Sequence, residues 1–273
     1  MMKSREEKLE AFGRILDILD ELRQKCPWDR EQTTDSLRPQ TIEEVYELSD
    51  AILKKDDRNI SKELGDVLLH VLFYAKIGEE NGTYDIVDVI NFLSDKLIYR
   101  HPHVFSSVEV ADSAEVVKNW EMLKMKEKGG NRTVLSGVPE TLPPLLKAYR
   151  MQDKARGVGF DWEDRSQVWD KVREELGEYQ AELDSMENAA DEASRKEAYA
   201  RAENELGDYL FAVVNAARLY GLNPDTALER TCAKFRRRFT YLEEHTIRQG
   251  RNLKDMTLAE MDALWDEAKE KGL

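Results

Sequence analysis

The chain has 273 residues, with 41 lysines and arginines against 55 aspartates and glutamates, a formal charge of −14. So acidic a chain is a poor general binder of nucleic acid or anionic membrane, whereas 41% apolar residues are enough to build a core and argue against global disorder. Glycine (14) and proline (7) are scarce, which favours long helices over a many-turned β-sandwich.

Taken in chain order, the charged stretch MMKSREEKLEAFGRILDILDELRQK is expected to be neither a signal peptide nor a membrane anchor. Within it Leu9, Phe12, Ile15, Leu16, Leu19 and Leu22 recur at three- and four-residue steps, which predicts an amphipathic helix. A second helix is expected over about 42–55. Ile60, Leu64, Val67, Leu68, Val71, Leu72 and Ala75 predict a third, ending near Asn81-Gly82. Further helices read at 85–99, 113–128, 145–155, 166–187, 194–220, 224–248 and 257–271, with no strand alternation. Segment 129–144, GGNRTVLSGVPETLPP, reads as a linker. No run approaches the ~18 apolar residues that span a bilayer. Cys26 and Cys232 are too isolated for a disulfide framework, and no CxxC zinc site is visible. A soluble cytoplasmic protein is expected.

The two halves repeat each other. EEVYE (43–47) and ELGD (63–66) precede VLLHVLFYA in the first; EELGE (174–178) and ELGD (205–208) precede YLFAVVNAA in the second. PWDREQ (27–32) and DWEDRSQ (161–167) stand near the start of each half, and Trp120 and Trp265 near the end. The fold expected is all-α, a tandem repeat of two helical-bundle domains at 1–128 and 145–273 joined by the linker at 129–144.

A fifth of the residues are acidic, so one pair of acids three apart means little. Two such pairs on consecutive helices, repeated twice, mean more. Residues i and i+3 share a helix face, so Glu44 with Glu47 and Glu63 with Asp66 converge if their helices pack antiparallel. Glu175, Glu178, Glu205 and Asp208 repeat the arrangement. Such a cluster repels itself unless cations occupy it, and oxygen ligands without histidine or cysteine select Mg²⁺ or Mn²⁺. The bland reading is a solvated acidic face. Thr41-x-x-Glu44 also matches a capping box, which would give Glu44 a purely local role. The glycine inside each ELGD suggests close helix approach. KFRRRF (234–239) puts Lys234 and Arg238 on one helix face, where they ion-pair with surface acids or clamp a polyphosphate. Trp265 is either core or a platform for a base.

The pattern E-x-x-E, spacer, E-x-x-D in a tandem all-α chain resembles the MazG nucleoside triphosphate pyrophosphohydrolases. CPWDREQT, EEVYEL, ELGDVLLHVLFYA, RHPHVF and KFRRRF support it over nearly the whole chain. The resemblance implies helical bundles that form homodimers, with relatives among dimeric dUTPases. It implies Mg²⁺-dependent cleavage of nucleoside triphosphates to monophosphate and pyrophosphate, by water attack on the α-phosphorus. It also implies metal held by Glu175, Glu178, Glu205 and Asp208, with Glu44, Glu47, Glu63 and Asp66 as a second, weaker site. Nucleotide contacts carry over to Lys171, Val172, Arg173, Glu174, Glu175, Arg201, Ala202, Glu203, Asn204, Asp208, Lys234, Phe235, Arg236, Arg237, Arg238 and Trp265. Glu174 is the expected water-positioning base.

Aligned on the carboxylates, Lys171 corresponds to Gln40, Arg201 to Asn59 and KFRRR to KLIYR. The first half thus keeps its acids but loses four cations, so the second is expected to be the main catalytic site. Other classes fit worse. A Nudix box finds Arg173, Glu174 and Glu178 in place when counted from Gly159, but fails at Arg165, Gly177 and Gln180. No histidine has an acid three residues before it, as a di-iron bundle needs, and no GK[ST] occurs. The remaining alternative is a helical nucleotide sensor or interaction module without turnover.

Overall fold

A computed structural model describes residues 3–112, 115–116, 119–120, 123–124 and 133–273. Its elements are helical, with no strand among the described residues. It divides into two compact units, Met1–Glu109 and Val110–Leu273. The boundary expected at 128/129, and most of the helix expected over 113–128, lie outside the described residues.

The first unit contains α1 (Arg5–Lys25), α2 (Pro27–Glu31), α3 (Thr34–Lys54), α4 (Asp57–Glu80), α5 (Ile86–Arg100) and α6 (Pro102–Phe105). Leu19, Leu37, Leu72, Phe73 and Ile77 form its core, each side chain worth about 1.5–3 kcal/mol once fully buried. Helix α3 begins eight residues earlier than its expected start near 42. Thr33 and Ser36 cap it reciprocally, and burial of Leu37 to 2% exposure holds the added turns against the core despite Pro39. Thr41 therefore lies inside the helix and caps nothing. Its hydroxyl donates to Leu37 O (3.0 Å) and meets His70 Nδ1 (2.9 Å). The capping-box role for Glu44 is overturned by this placement.

The second unit contains α7 (Pro144–Gly157), α8 (Val168–Glu187), α9 (Glu192–Leu219), α10 (Pro224–Arg248) and α11 (Leu258–Glu270). Val168, Val172, Ala212 and Ala216 form its buried centre. The closest pairing in each unit joins the two acid-bearing helices, α3 with α4 and α8 with α9. Among the described residues no helix is long and apolar enough to cross a membrane, and neither cysteine is disulfide-bonded.

The glycines of the two ELGD motifs do not mark a close helix approach within the chain. A Cβ built on Gly65 or Gly207 meets nothing within 4 Å, and both positions are exposed.

Candidate functional site

In each unit three of the expected carboxylates converge. Oxygens of Glu44, Glu63 and Asp66 lie within 4.8 Å of one another, as do those of Glu175, Glu205 and Asp208. The cause is the i, i+3 spacing on α4 and α9, which brings two acids to the face that packs on α3 and α8. Glu47 and Glu178 stand one turn away, exposed and outside these sets. Their charges are still felt. Burial pushes the Glu44 carboxyl up, with Asp66 and Glu47 adding to it; burial, then Glu178 and Asp208, push Glu205 up.

Each cluster leans on one lysine. Lys171 Nζ lies 2.7 Å from Glu175 and 2.9 Å from Glu174, and its own pKa is raised by both. Lys62 Nζ lies 3.0 Å from Glu63 and 3.7 Å from Asp66. In the first unit Glu63 is 1% exposed and its Oε2 is buried with no hydrogen-bond partner. An acceptor so placed costs about 1–3 kcal/mol when left unsatisfied. An all-oxygen set with an orphaned buried acceptor fits a hard divalent cation.

The raised Glu205 predicts a measurable stability effect. A carboxyl whose folded pKa exceeds its unfolded value destabilises the fold progressively as pH rises through that interval. Without divalent metal, Glu205→Gln should therefore melt higher than the parent at pH 7, with the difference shrinking towards pH 4. Adding Mg²⁺ should raise the parent's melting temperature and leave the variant's nearly unmoved. A parent indifferent to Mg²⁺ and Mn²⁺ would contradict a metal site.

The other expected nucleotide contacts are dispersed. Val172 and Ala202 are buried beneath the site. Arg201 pairs with Glu182 (2.9 Å), and Arg173 with Asp170 (2.5 Å); Glu203 and Asn204 are exposed. Lys234, Phe235, Arg236 and Arg237 are exposed on α10. Arg238 donates to Leu273 O (2.7 Å) and sits 5.7 Å from the Trp265 ring, which packs on Phe235 at 5.1 Å.

Sequence reasoning missed a cavity of about 800 Å³ beside the second cluster. Lys171, Glu175 and Asp208 line it together with Phe160, Trp162, Phe211, Gln152 and Asn215. The loop carrying Phe160 and Trp162 is pinned by Asp161, whose two oxygens take Arg218 at 2.5 and 3.1 Å. Arg218 also donates to Asn215 Oδ1 at 2.8 and 3.1 Å. Gln152 Nε2 donates to Phe211 O at 2.8 Å, and its Oε1 is buried without a partner. An ungapped alignment on ELGD shows why the space exists. Ala212 and Asn215, which line it, stand where the first unit has His70 and Phe73. In the first unit a space of about 160 Å³ lies beside Leu19, Leu72 and Lys76, and a more open one of about 540 Å³ is lined by Glu43, Tyr46, Glu47, Asp50 and Asn59.

Residues 32–105 and 165–242 match the MazG nucleotide pyrophosphohydrolase domain. The chain is 38% identical over 268 residues to a nucleoside triphosphate pyrophosphohydrolase of Escherichia coli, covering 96% of this chain and 98% of that one. It is 39% identical over 261 residues to the nucleoside triphosphate pyrophosphohydrolase/pyrophosphatase MazG of Thermotoga maritima, covering 94% and 95%. It is 48% identical over 271 residues to the uncharacterized protein YabN of Bacillus subtilis, covering 97% of this chain and 53% of that one.

Proposed function

The chain belongs to the MazG family of nucleoside triphosphate pyrophosphohydrolases, and we propose that its second unit carries the turnover, cleaving substrate to nucleoside monophosphate and pyrophosphate. The observation that carries this choice is the cavity opening onto Lys171, Glu175 and Asp208, together with the cations Lys171 and Arg201, where the first half has Gln40 and Asn59.

We propose Glu175, Glu205 and Asp208 as the holders of Mg²⁺, or of Mn²⁺ in its place, with Glu178 joining from the next turn. When bound, the ion offsets phosphate charge and lowers the pKa of a water. The residues do the rest. Lys171, released from Glu175 as that carboxylate turns to its ligand, meets a phosphate oxygen. Glu174, exposed and 2.9 Å from Lys171, orients the water and takes its proton as it attacks the α-phosphorus. Glu44, Glu63 and Asp66, with Glu47 nearby, form a second, weaker metal site, where Gln40 and Asn59 stand in place of Lys171 and Arg201.

Lys234–Arg238 and Trp265 do not wall the cavity of their own chain. We propose that a homodimer supplies them from the second copy. Support comes from matching apolar stripes left exposed in both repeats, Leu64, Leu68 and Val71 on α4 and Leu206, Leu210 and Val213 on α9. Gly207 interrupts the second stripe. Gly207→Ala should stabilise the isolated helix by up to ~1 kcal/mol and weaken the dimer, so that gel filtration shifts towards monomer. A dimer unchanged or tightened would remove the glycine from the interface.

The test of the whole reading is the double variant Glu44→Gln, Glu47→Gln. It should retain most Mg²⁺-dependent hydrolysis of nucleoside triphosphates. Loss of all turnover in a folded, dimeric variant would refute the assignment to the second unit. A nucleotide sensor would instead show Mg²⁺-dependent binding and no products in the parent.

A further inference from the structure

We propose that the cavity of the second unit receives the nucleoside of the substrate, with Gln152 and Asn215 meeting the base. This rests on the proposal that the neighbouring carboxylates do the chemistry. The cavity has the right size, since small-molecule sites run to roughly 300–1,000 Å³, and at about 800 Å³ it takes a ribose and either a purine or a pyrimidine. Its lining has the right chemistry, since Lys171, Glu175 and Asp208 of the carboxylate site share it with the aromatic rings of Phe160, Trp162 and Phe211. Flat π-faces suit a base of any identity.

The hydrogen-bonding groups narrow the ligand further. The Phe211 carbonyl can only accept, so it fixes the Gln152 amide with nitrogen bound and Oε1 left over as an acceptor. Gln152 is 7% exposed, and its oxygen is the polar group sealed without a partner in this wall. Asn215 accepts from Arg218 through Oδ1, which leaves its Nδ2 as a donor. An acceptor and a donor lining one cavity match an N–H next to a ring nitrogen or carbonyl, the edge common to the nucleobases. In the first unit, Phe73 replaces Asn215 and is 3% exposed within the core.

The experiment compares hydrolysis of the four nucleoside triphosphates with that of ribose 5-triphosphate, which lacks a base, under Mg²⁺. The parent should prefer nucleotides by a hundredfold or more in kcat/KM. Gln152→Leu keeps the volume and removes the acceptor; it should cut that preference about tenfold, mainly through KM for nucleotides. Asn215→Phe places the first unit's residue in the cavity; it should lower nucleotide turnover a hundredfold and keep Mn²⁺ binding by electron paramagnetic resonance. Ala155→Phe fills the cavity from α7 and serves if Asn215→Phe fails to fold. Gln152→Leu and the cavity-filling variant both behaving like the parent, or Trp265→Ala alone abolishing the preference, would overturn the proposal. A parent that hydrolyses neither substrate class would overturn the catalytic reading beneath it.

Discussion

Asp208→Asn should lower kcat by on the order of 10³-fold or more, because metal-ion catalysis contributes several kcal/mol and each ~1.4 kcal/mol is a factor of ten. The residue belongs to the convergent set with Glu175 and Glu205 and lines the cavity as well. It is exposed, so the amide leaves packing intact and removes only charge. Steady-state kinetics in saturating Mg²⁺ measure the loss, and circular dichroism verifies the fold. A loss below about tenfold would mean that Asp208 neither holds metal nor faces the phosphates.

The second large effect falls on stability. Arg218→Met should destabilise the second unit by about 3 kcal/mol, since breaking a buried pair costs ~3–5 kcal/mol and Asp161 retains some solvent. Side-chain exposures are 5% for Arg218 and 21% for Asp161. The change strands the Asp161 carboxylate, frees the loop bearing Phe160 and Trp162, and loosens Asn215. Urea denaturation reads the loss in its midpoint, and KM for nucleotides should rise with it. The pH dependence has a definite sign. Burial alone would push the Asp161 carboxyl up, but bonds from Arg218 and the Trp162 amide outweigh it and hold it below its ordinary value. Its contribution is therefore fully present above the unfolded pKa of about 4 and lost as pH falls through the lower folded one. In Arg218→Met the unpaired carboxylate should gain stability on acidification instead. An unchanged midpoint with an unchanged acid limb would contradict this role.

The helices were legible because the apolar positions of α4 and α9 keep a helical period, and the carboxylates because the same E-x-x-D recurs in both halves. The start of α3 was not legible, since TTDSLRPQT is polar and carries Pro39; the tertiary contact that buries Leu37 settles it. The convergence of Glu175, Glu205 and Asp208 followed from spacing, but the position of Glu178 depends on rotamers that spacing does not determine. The cavity was hidden for a different reason. It arises where side chains are smaller than in the first repeat, at Ala212 and Asn215, and periodicity reports where apolar residues lie, not whether they fill the space between helices. Comparing the repeats position by position, Phe73 against Asn215 and His70 against Ala212, was the signal available.

The central claim is attack on the α-phosphorus by a water held at the second cluster. Hydrolysis of a nucleoside triphosphate in ¹⁸O-labelled water, followed by ³¹P NMR, tests it most directly. The expected result is one ¹⁸O in the nucleoside monophosphate and unlabelled pyrophosphate, lost in Asp208→Asn and kept in Glu44→Gln, Glu47→Gln. Label in the pyrophosphate, or diphosphate and orthophosphate as products, would contradict it.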